Sequence, residues 1–368
     1  MVQQTLTDHK LHTPSRAAAL IALPGLRPLL ALGLVALLVG VFLINLAVGS
    51  VSIPLEDVVR VLLGQEASKS SWNNIIINYR LPQALTALLA GAALGISGLL
   101  MQTFFRNPLA DPFVLGVSSG ASLGVALVVL MAGSVTTSLL AGLGLLGDLG
   151  LAAAASTGAA AVMLIVLWTA RRVSSGMTLL ILGLLFGYLT SGLVSLLLYF
   201  SIPERIQAYI SWTFGSFSGV TWDQLTVMGP IIGAGLAAAF LLSKSLNALL
   251  LGEVYAYSMG LNLMRVRFAV LITTAILAGT ITAFCGPIGF IGIAVPHLCR
   301  SLFNTSDHRL LIPLTVITGA IVALAASIIA DVPGSSIVLP LNAVTSLIGA
   351  PAVIWVILSR QNIRDAFA

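Results

Sequence analysis

The 368-residue sequence predicts an all-α, polytopic membrane protein with about ten transmembrane helices, on three observations. Charged residues make up 8% of the chain, against roughly 25% in a soluble domain. They gather in short clusters, so that 81–105, 112–147, 173–203, 268–299 and 332–359 carry no charge at all. Each of these stretches reaches the ~20 residues that a helix needs to cross a hydrocarbon core about 30 Å thick. The apolar residues also run unbroken rather than alternating, which excludes a transmembrane β-barrel. With most Lys and Arg beside the spans, the net charge of +5 is a matter of membrane orientation, and no nucleic-acid partner is implied.

Residues 1–28 form a polar tail. The apolar run at 29–48 is longer than the ~7–15 residues of a secretory signal core, so it reads as a retained first span despite Ala47-Val48-Gly49, which loosely resembles a cleavage site. Segment 52–63 has Ser52 and Pro54 before Glu56 and Asp57, which are helix-start signals, and an apolar face suited to the membrane surface. The next spans fall at 81–104, 113–133, 149–170 and 177–200. Segment 203–217 then places proline and acid ahead of aromatics, as a second surface helix. Spans at 223–243, 268–286, 287–303, 310–330 and 339–358 complete ten. No charge separates 268–286 from 287–303; the break is placed at Gly286-Pro287, because proline removes a backbone donor and clashes with a continuing helix.

With the N-terminus inside, 13 of the 17 Lys and Arg residues fall on the cytoplasmic side, and only Arg60, Lys69, Arg80 and Arg205 fall outside. This is the positive-inside bias, and ten spans return the C-terminus to the cytoplasm. The organisation is therefore a tail at 1–28, a transmembrane domain at 29–360 containing a polar loop at 244–265, and a tail at 361–368.

Several short strings resemble enzyme motifs and are better explained by helix packing. GLGLLG at 142–147 fits the dinucleotide pattern but no strand precedes it. GVSSG at 116–120 lacks the base and orienting group that a serine nucleophile needs. Small residues spaced four apart, as in Gly91/Gly95, Gly120/Gly124 and Gly183/Gly187, let helix backbones approach closely. No metal cage is expected: His297 and Cys299 point to different helix faces, and His9 and His12 lie in the tail. Asp331 reads as an outer helix-end residue. The sequence holds no G-x-x-x-x-G-K-[ST] nucleotide loop, since none of Lys10, Lys69 and Lys244 follows a glycine.

Three longer constellations are more specific. RLPQALTALLAGAALGISGLLMQTFFRNPLADPFVLGVSSGASLG at 80–124 closes a span with the rigid turn Asn107-Pro108-Leu109-Ala110-Asp111-Pro112. NALLLGEVYAYSMG at 247–260 is too polar to span and is broken by Gly252 and Gly260, giving two short helices suited to a protein partner. GPIGFIGIAVPHLCR at 286–300 is a short, proline-bounded span. Together with ISWTFGSFSGVTW at 210–222, DHRLLIP at 307–313 and LPLNAVTSLIGAP at 339–351, these resemble the permease subunits of type II ABC importers for iron-siderophore complexes, haem and cobalamin. The likeness runs from about residue 30 to residue 360.

The resemblance implies a ten-helix permease in a bacterial inner membrane, pairing with a second copy as a homodimer. Two cytoplasmic ATPases and one periplasmic binding protein would complete it. ATP and Mg would sit on the ATPase chains, so this chain would hold no cofactor and would not itself be an enzyme. Its cargo would be an iron chelate, haem or a corrinoid, the first two placed ahead of the third. By the same resemblance Leu249, Gly252, Glu253, Ala256 and Gly260 belong to coupling helices that seat on the ATPase. Asn107, Leu109, Gly176 and Met177 belong to a cytoplasmic gate, and Arg80 to docking of the binding protein. Two other family docking arginines align with Gln83 and Ser335, so Arg60 or Arg205 would compensate. Asn342 stands where the family commonly has glycine, and either lines the path or bonds a neighbouring helix. The alternatives are an ion-gradient-driven secondary transporter of a small organic solute, disfavoured by the lack of ionisable groups deep in the bundle, and a membrane enzyme, disfavoured by the missing base–nucleophile set.

Overall fold

The computed structural model describes residues 26–130, 148–173, 176–335 and 337–359. The tail residues His9 and His12, the GLGLLG string and the segment 361–368 lie outside them. Every expected span corresponds to a helix. In chain order the helices are α1 (Leu26–Ala47), α2 (Leu55–Leu62), α3 (Ser70–Ile75), α4 (Leu81–Phe104), α5 (Val117–Leu130), α6 (Asp148–Ala170), α7 (Gly176–Tyr199) and α8 (Pro203–Thr213). After them come α9 (Trp222–Leu241), α10 (Ser243–Leu250), α11 (Glu253–Ser258), α12 (Leu263–Cys285), α13 (Ile291–Phe303), α14 (His308–Ala330) and α15 (Leu341–Ser359). Among the described residues, seven helical stretches are long and apolar enough to cross a membrane, and α5 and α13 are shorter apolar helices. No strand occurs among the described residues.

The helices start where the sequence offers backbone partners. Thr221 and Gln224 form a reciprocal cap on α9, Asn262 caps α12 and Asp307 caps α14, each satisfying amides that the first helical turn leaves open. The break near Pro287 is real: α12 ends at Cys285, Gly286 adopts φ +76° and α13 starts at Ile291. Both surface helices form as well, α2 with Glu56 and Asp57 in its first turn and α8 with Pro203 and Glu204.

At the centre lies α4, packed against α14, α12, α13 and α9. Glycines make this possible. A Cβ on Gly91 would run into the Gly319 carbonyl of α14, and one on Gly98 into the Gly292 carbonyl of α13. A Cβ on Gly120 of α5 would lie 2.6 Å from the Gly158 carbonyl of α6. In lipid, where water cannot drive helices together, such close backbone contact is a main source of cohesion.

Candidate coupling surface

The polar loop after α9 folds as the sequence indicates, into α10 and α11 joined through Gly252. That residue has φ +107° and ψ 153°, a region open essentially to glycine alone. Gly260 closes the unit at φ +85°. The turn sorts the side chains: Leu246, Leu249 and Ala256 face inward and are buried. Leu251, Val254, Tyr255, Tyr257 and Met259 face outward, Val254 being 87% and Tyr257 71% exposed. An apolar patch at the membrane edge, uncovered within this chain, suits a protein contact.

Polar contacts fix this unit to the bundle. Glu253 pairs with Arg267 of α12 at 3.8 Å, and Arg267 also donates to the Val173 carbonyl at 2.7 Å. Asn247 donates to Asp307 at 2.7 Å, and its Oδ1 lies 2.8 Å from His308 Nδ1. His308 Nε2 in turn lies 2.8 Å from the Thr103 hydroxyl of α4. An N–H at Nδ1 fits the Asn247 carbonyl, which can only accept, while the single Thr103 hydroxyl proton faces both Nε2 and the Leu99 carbonyl at 2.8 Å. A continuous chain thus joins α10 to the last turn of α4, through a residue with no exposed surface. The only signal of it in the sequence is a histidine beside a helix-capping acid in DHRLLIP at 307–313.

The corner after α4 is equally well tied. Asn107 Oδ1 accepts from the Leu109 amide at 3.0 Å, and His297 donates from Nε2 to the Pro108 carbonyl at 2.8 Å. Arg300 donates to Gln102 at 2.6 Å, while Gln102 reaches the Ile293 carbonyl at 3.2 Å. Asp111 caps the 3-10 turn Pro112–Leu115; burial pushes its carboxyl up to about 6, against the Phe113 amide that stabilises the charge. Gly176 and Met177 line an open cleft of about 620 Å³ with Phe105, Arg106 and residues of the Leu251–Ser258 stretch. Asn107 and Leu109 are not among its lining residues, although Leu109 and Met177 are both exposed.

At the opposite end lies Arg80, with the other residues expected at the docking surface. Arg80 is 8% exposed; it donates to the Leu46 carbonyl at 2.7 Å and to the Val51 carbonyl. Its guanidinium ties the end of α1 and the segment after it to the start of α4. The sequence placed it on the outer surface because it opens a span; the enclosing α1–α2 connection was not legible. Gln83 bonds Asp331 at 2.6 Å, where burial raises the carboxyl and the Gln83 bond opposes that rise. Arg60 pairs with Glu56 and, at 4.0 Å, with Asp57, and remains partly exposed. Arg205 donates to the Leu130 carbonyl at 3.2 Å. Asn342 of α15 accepts from the Gly289 amide, in the connection between α12 and α13, at 3.1 Å. Among the described residues no group of three His, Cys, Asp or Glu could hold a metal ion.

The sequence model of the FecCD transport family matches residues 37–359. The vitamin B12 import system permease protein of Klebsiella pneumoniae is 39% identical over 283 residues, covering 77% of this chain and 82% of the relative. Its counterpart from Citrobacter koseri is also 39% identical over 283 residues, with the same coverage. Among solved structures, an inward-facing conformation assigned to a metal-chelate type ABC transporter superposes with a TM-score of 0.79 at 29% identity. That match covers 90% of this chain and 100% of the other. The chain accordingly belongs to the FecCD transport family, the permeases of type II ABC importers.

Proposed function

We propose that the chain is the membrane-spanning half of an ATP-driven importer, worked by a separate ATPase that grips α10 and α11. The observation that carries this reading is the two-helix unit 243–260, whose apolar side chains Leu251, Val254, Tyr255 and Tyr257 face away from the bundle. Its inner side meets α4 through the Asn247–His308–Thr103 chain. A push on the unit would therefore reach the central helix. On this reading the Arg106 end is cytoplasmic, the chain works as a homodimer, and ATP and Mg bind only to the ATPases. A binding protein would deliver cargo at the other end, where Arg60 and Arg205 are better placed than Arg80 to meet it.

The cargo we propose is a corrinoid. Relatives at 39% identity are vitamin B12 permeases, which favours it over the iron chelate or haem. The test is uptake of labelled vitamin B12 by cells that lack their own permease and express this chain with its ATPase and binding protein. Uptake should occur and stop with vanadate. Gly252→Val should insert normally yet transport nothing, because a β-branched residue at that φ and ψ costs about 1–3 kcal/mol and re-aims α11. Normal uptake by this variant would remove the coupling assignment.

A further inference from the structure

A second cavity lies within the membrane-spanning part, away from the coupling surface and from Asn342. It is a cleft of about 350 Å³ between α5, α6, α9 and α12, lined almost wholly by apolar atoms. Its floor is buried, with Val117, Ala159 and Met163. Its rim is open, with Leu164, Ile272 and Ile276 all exposed. From Ser156 to Leu167 it follows α6 for eleven steps of the helix, about 16 Å at 1.5 Å per residue. That is half of the ~30 Å hydrocarbon core, the depth of one leaflet.

The end nearer Leu167 leads to a pair of cations. Arg171 and Arg172 follow directly on α6 and are exposed. Arg172 stacks over Trp168 at 4.5 Å, and Arg171 over Phe268 of α12 at 5.6 Å. Phe268 lies on α12, one turn before the cleft-lining Ile272, so the arginines stand where α6 and α12 meet. Stacking on a ring holds a guanidinium in place without neutralising it. Arg265, also exposed, adds a third cation on α12. Tryptophan at this depth marks the headgroup level of a bilayer.

We propose that the cleft and the arginine pair form a binding site for an anionic phospholipid, one acyl chain lying along α6 and the phosphate between Arg171 and Arg172. The two parts specify different things. The groove takes any acyl chain of sufficient length, whereas the arginines select for headgroup charge. A basic pocket between membrane helices is a recognised anionic-lipid geometry. The proposal rests on membrane insertion alone and is independent of what is transported.

The test uses the full chain, purified in detergent, delipidated and offered equal amounts of dipalmitoyl phosphatidylglycerol and dipalmitoyl phosphatidylcholine. Native mass spectrometry then counts retained lipid. With each arginine near an anionic headgroup worth roughly fivefold, the pair predicts one retained phosphatidylglycerol at roughly 25-fold preference. The double variant Arg171→Gln/Arg172→Gln, a surface change, should equalise the two lipids. Ala160→Trp, which fills the groove from its exposed rim, should abolish the retained adduct altogether. Equal retention of both lipids by the wild type, or a preference that survives in the double variant, would overturn the proposal. So would efficient disulfide formation between two copies of Leu164→Cys in native membranes, because a second copy would then be what covers this face.

Discussion

His308 is wholly buried, and each of its ring nitrogens lies 2.8 Å from a polar partner on a different element. Removing the ring cuts the side-chain link between Asn247 and Thr103 and leaves a cavity, although Asn247 Oδ1 keeps the His308 amide at 2.9 Å and the Thr103 hydroxyl keeps the Leu99 carbonyl at 2.8 Å. His308→Ala should lower the thermal midpoint in detergent. It should also raise the ATP hydrolysed per substrate moved, since the push on α10 no longer reaches α4; an unchanged ratio would reduce His308 to a structural residue. At the other end, Asp57 accepts from the Ser68 amide at 2.8 Å and the Ser68 hydroxyl at 2.7 Å. The Ser68 amide, followed by its hydroxyl, holds this carboxyl below the usual carboxylate range of about 3.8, with burial opposing. A depressed value in the folded state means the stabilisation is present above 3.8 and disappears as pH falls through the folded value. Amide exchange at Ser68 should therefore be slower in the wild type than in Asp57→Asn near pH ~6, and the difference should vanish in strong acid.

Among the elements, α4 shows why glycine and not leucine fills so much of a membrane helix. Gly91 and Gly98 each face the backbone of a neighbour, and neither site has room for one more carbon. Overpacking a core by several carbons costs typically 1–3 kcal/mol, and here the obstacle is a carbonyl that cannot rotate away. Gly98→Leu should lower the thermal midpoint by several degrees and reduce the inserted fraction. Gly33→Ala on α1, where nothing lies within 4 Å, should be neutral. The four-residue glycine spacing was readable in the sequence, and Gly91, Gly120, Gly124 and Gly183 do sit at contacts. Their partners were not readable, because Gly319, Gly292 and Gly158 are distant in the chain and nothing local pairs them. The split between α12 and α13 was readable in part, since proline removes a backbone donor; Gly286-Pro287 breaks the chain there, whereas Gly229-Pro230 sits inside the continuous α9.

At the scale of the whole molecule, sequence reading succeeded where the bilayer imposes a rule and failed where tertiary packing decides. Span number, span order and both surface helices follow from length, charge spacing and start signals, and each has its helix in the structure. The environment of Arg80 depended on how the α1–α2 connection folds over it, and no local pattern encodes that. Asp331 behaved as its helix-end position suggested, bonded to Gln83 from the first turn of α4. The 243–260 unit was recognised from two glycines and its polarity; its attachment through Asn247 and His308 was not, because a lone buried histidine has many possible partners.

The central claim is that the chain is a passage without an energy source of its own, moved through the 243–260 unit by another protein. Reconstitution into liposomes tests it most directly. With its ATPase and binding protein, the chain should accumulate labelled vitamin B12 only when ATP is supplied, and not at all when Gly252 is valine. Without those partners it should accumulate nothing under an imposed proton or sodium gradient. Accumulation by the chain alone, driven by either gradient, would contradict the account.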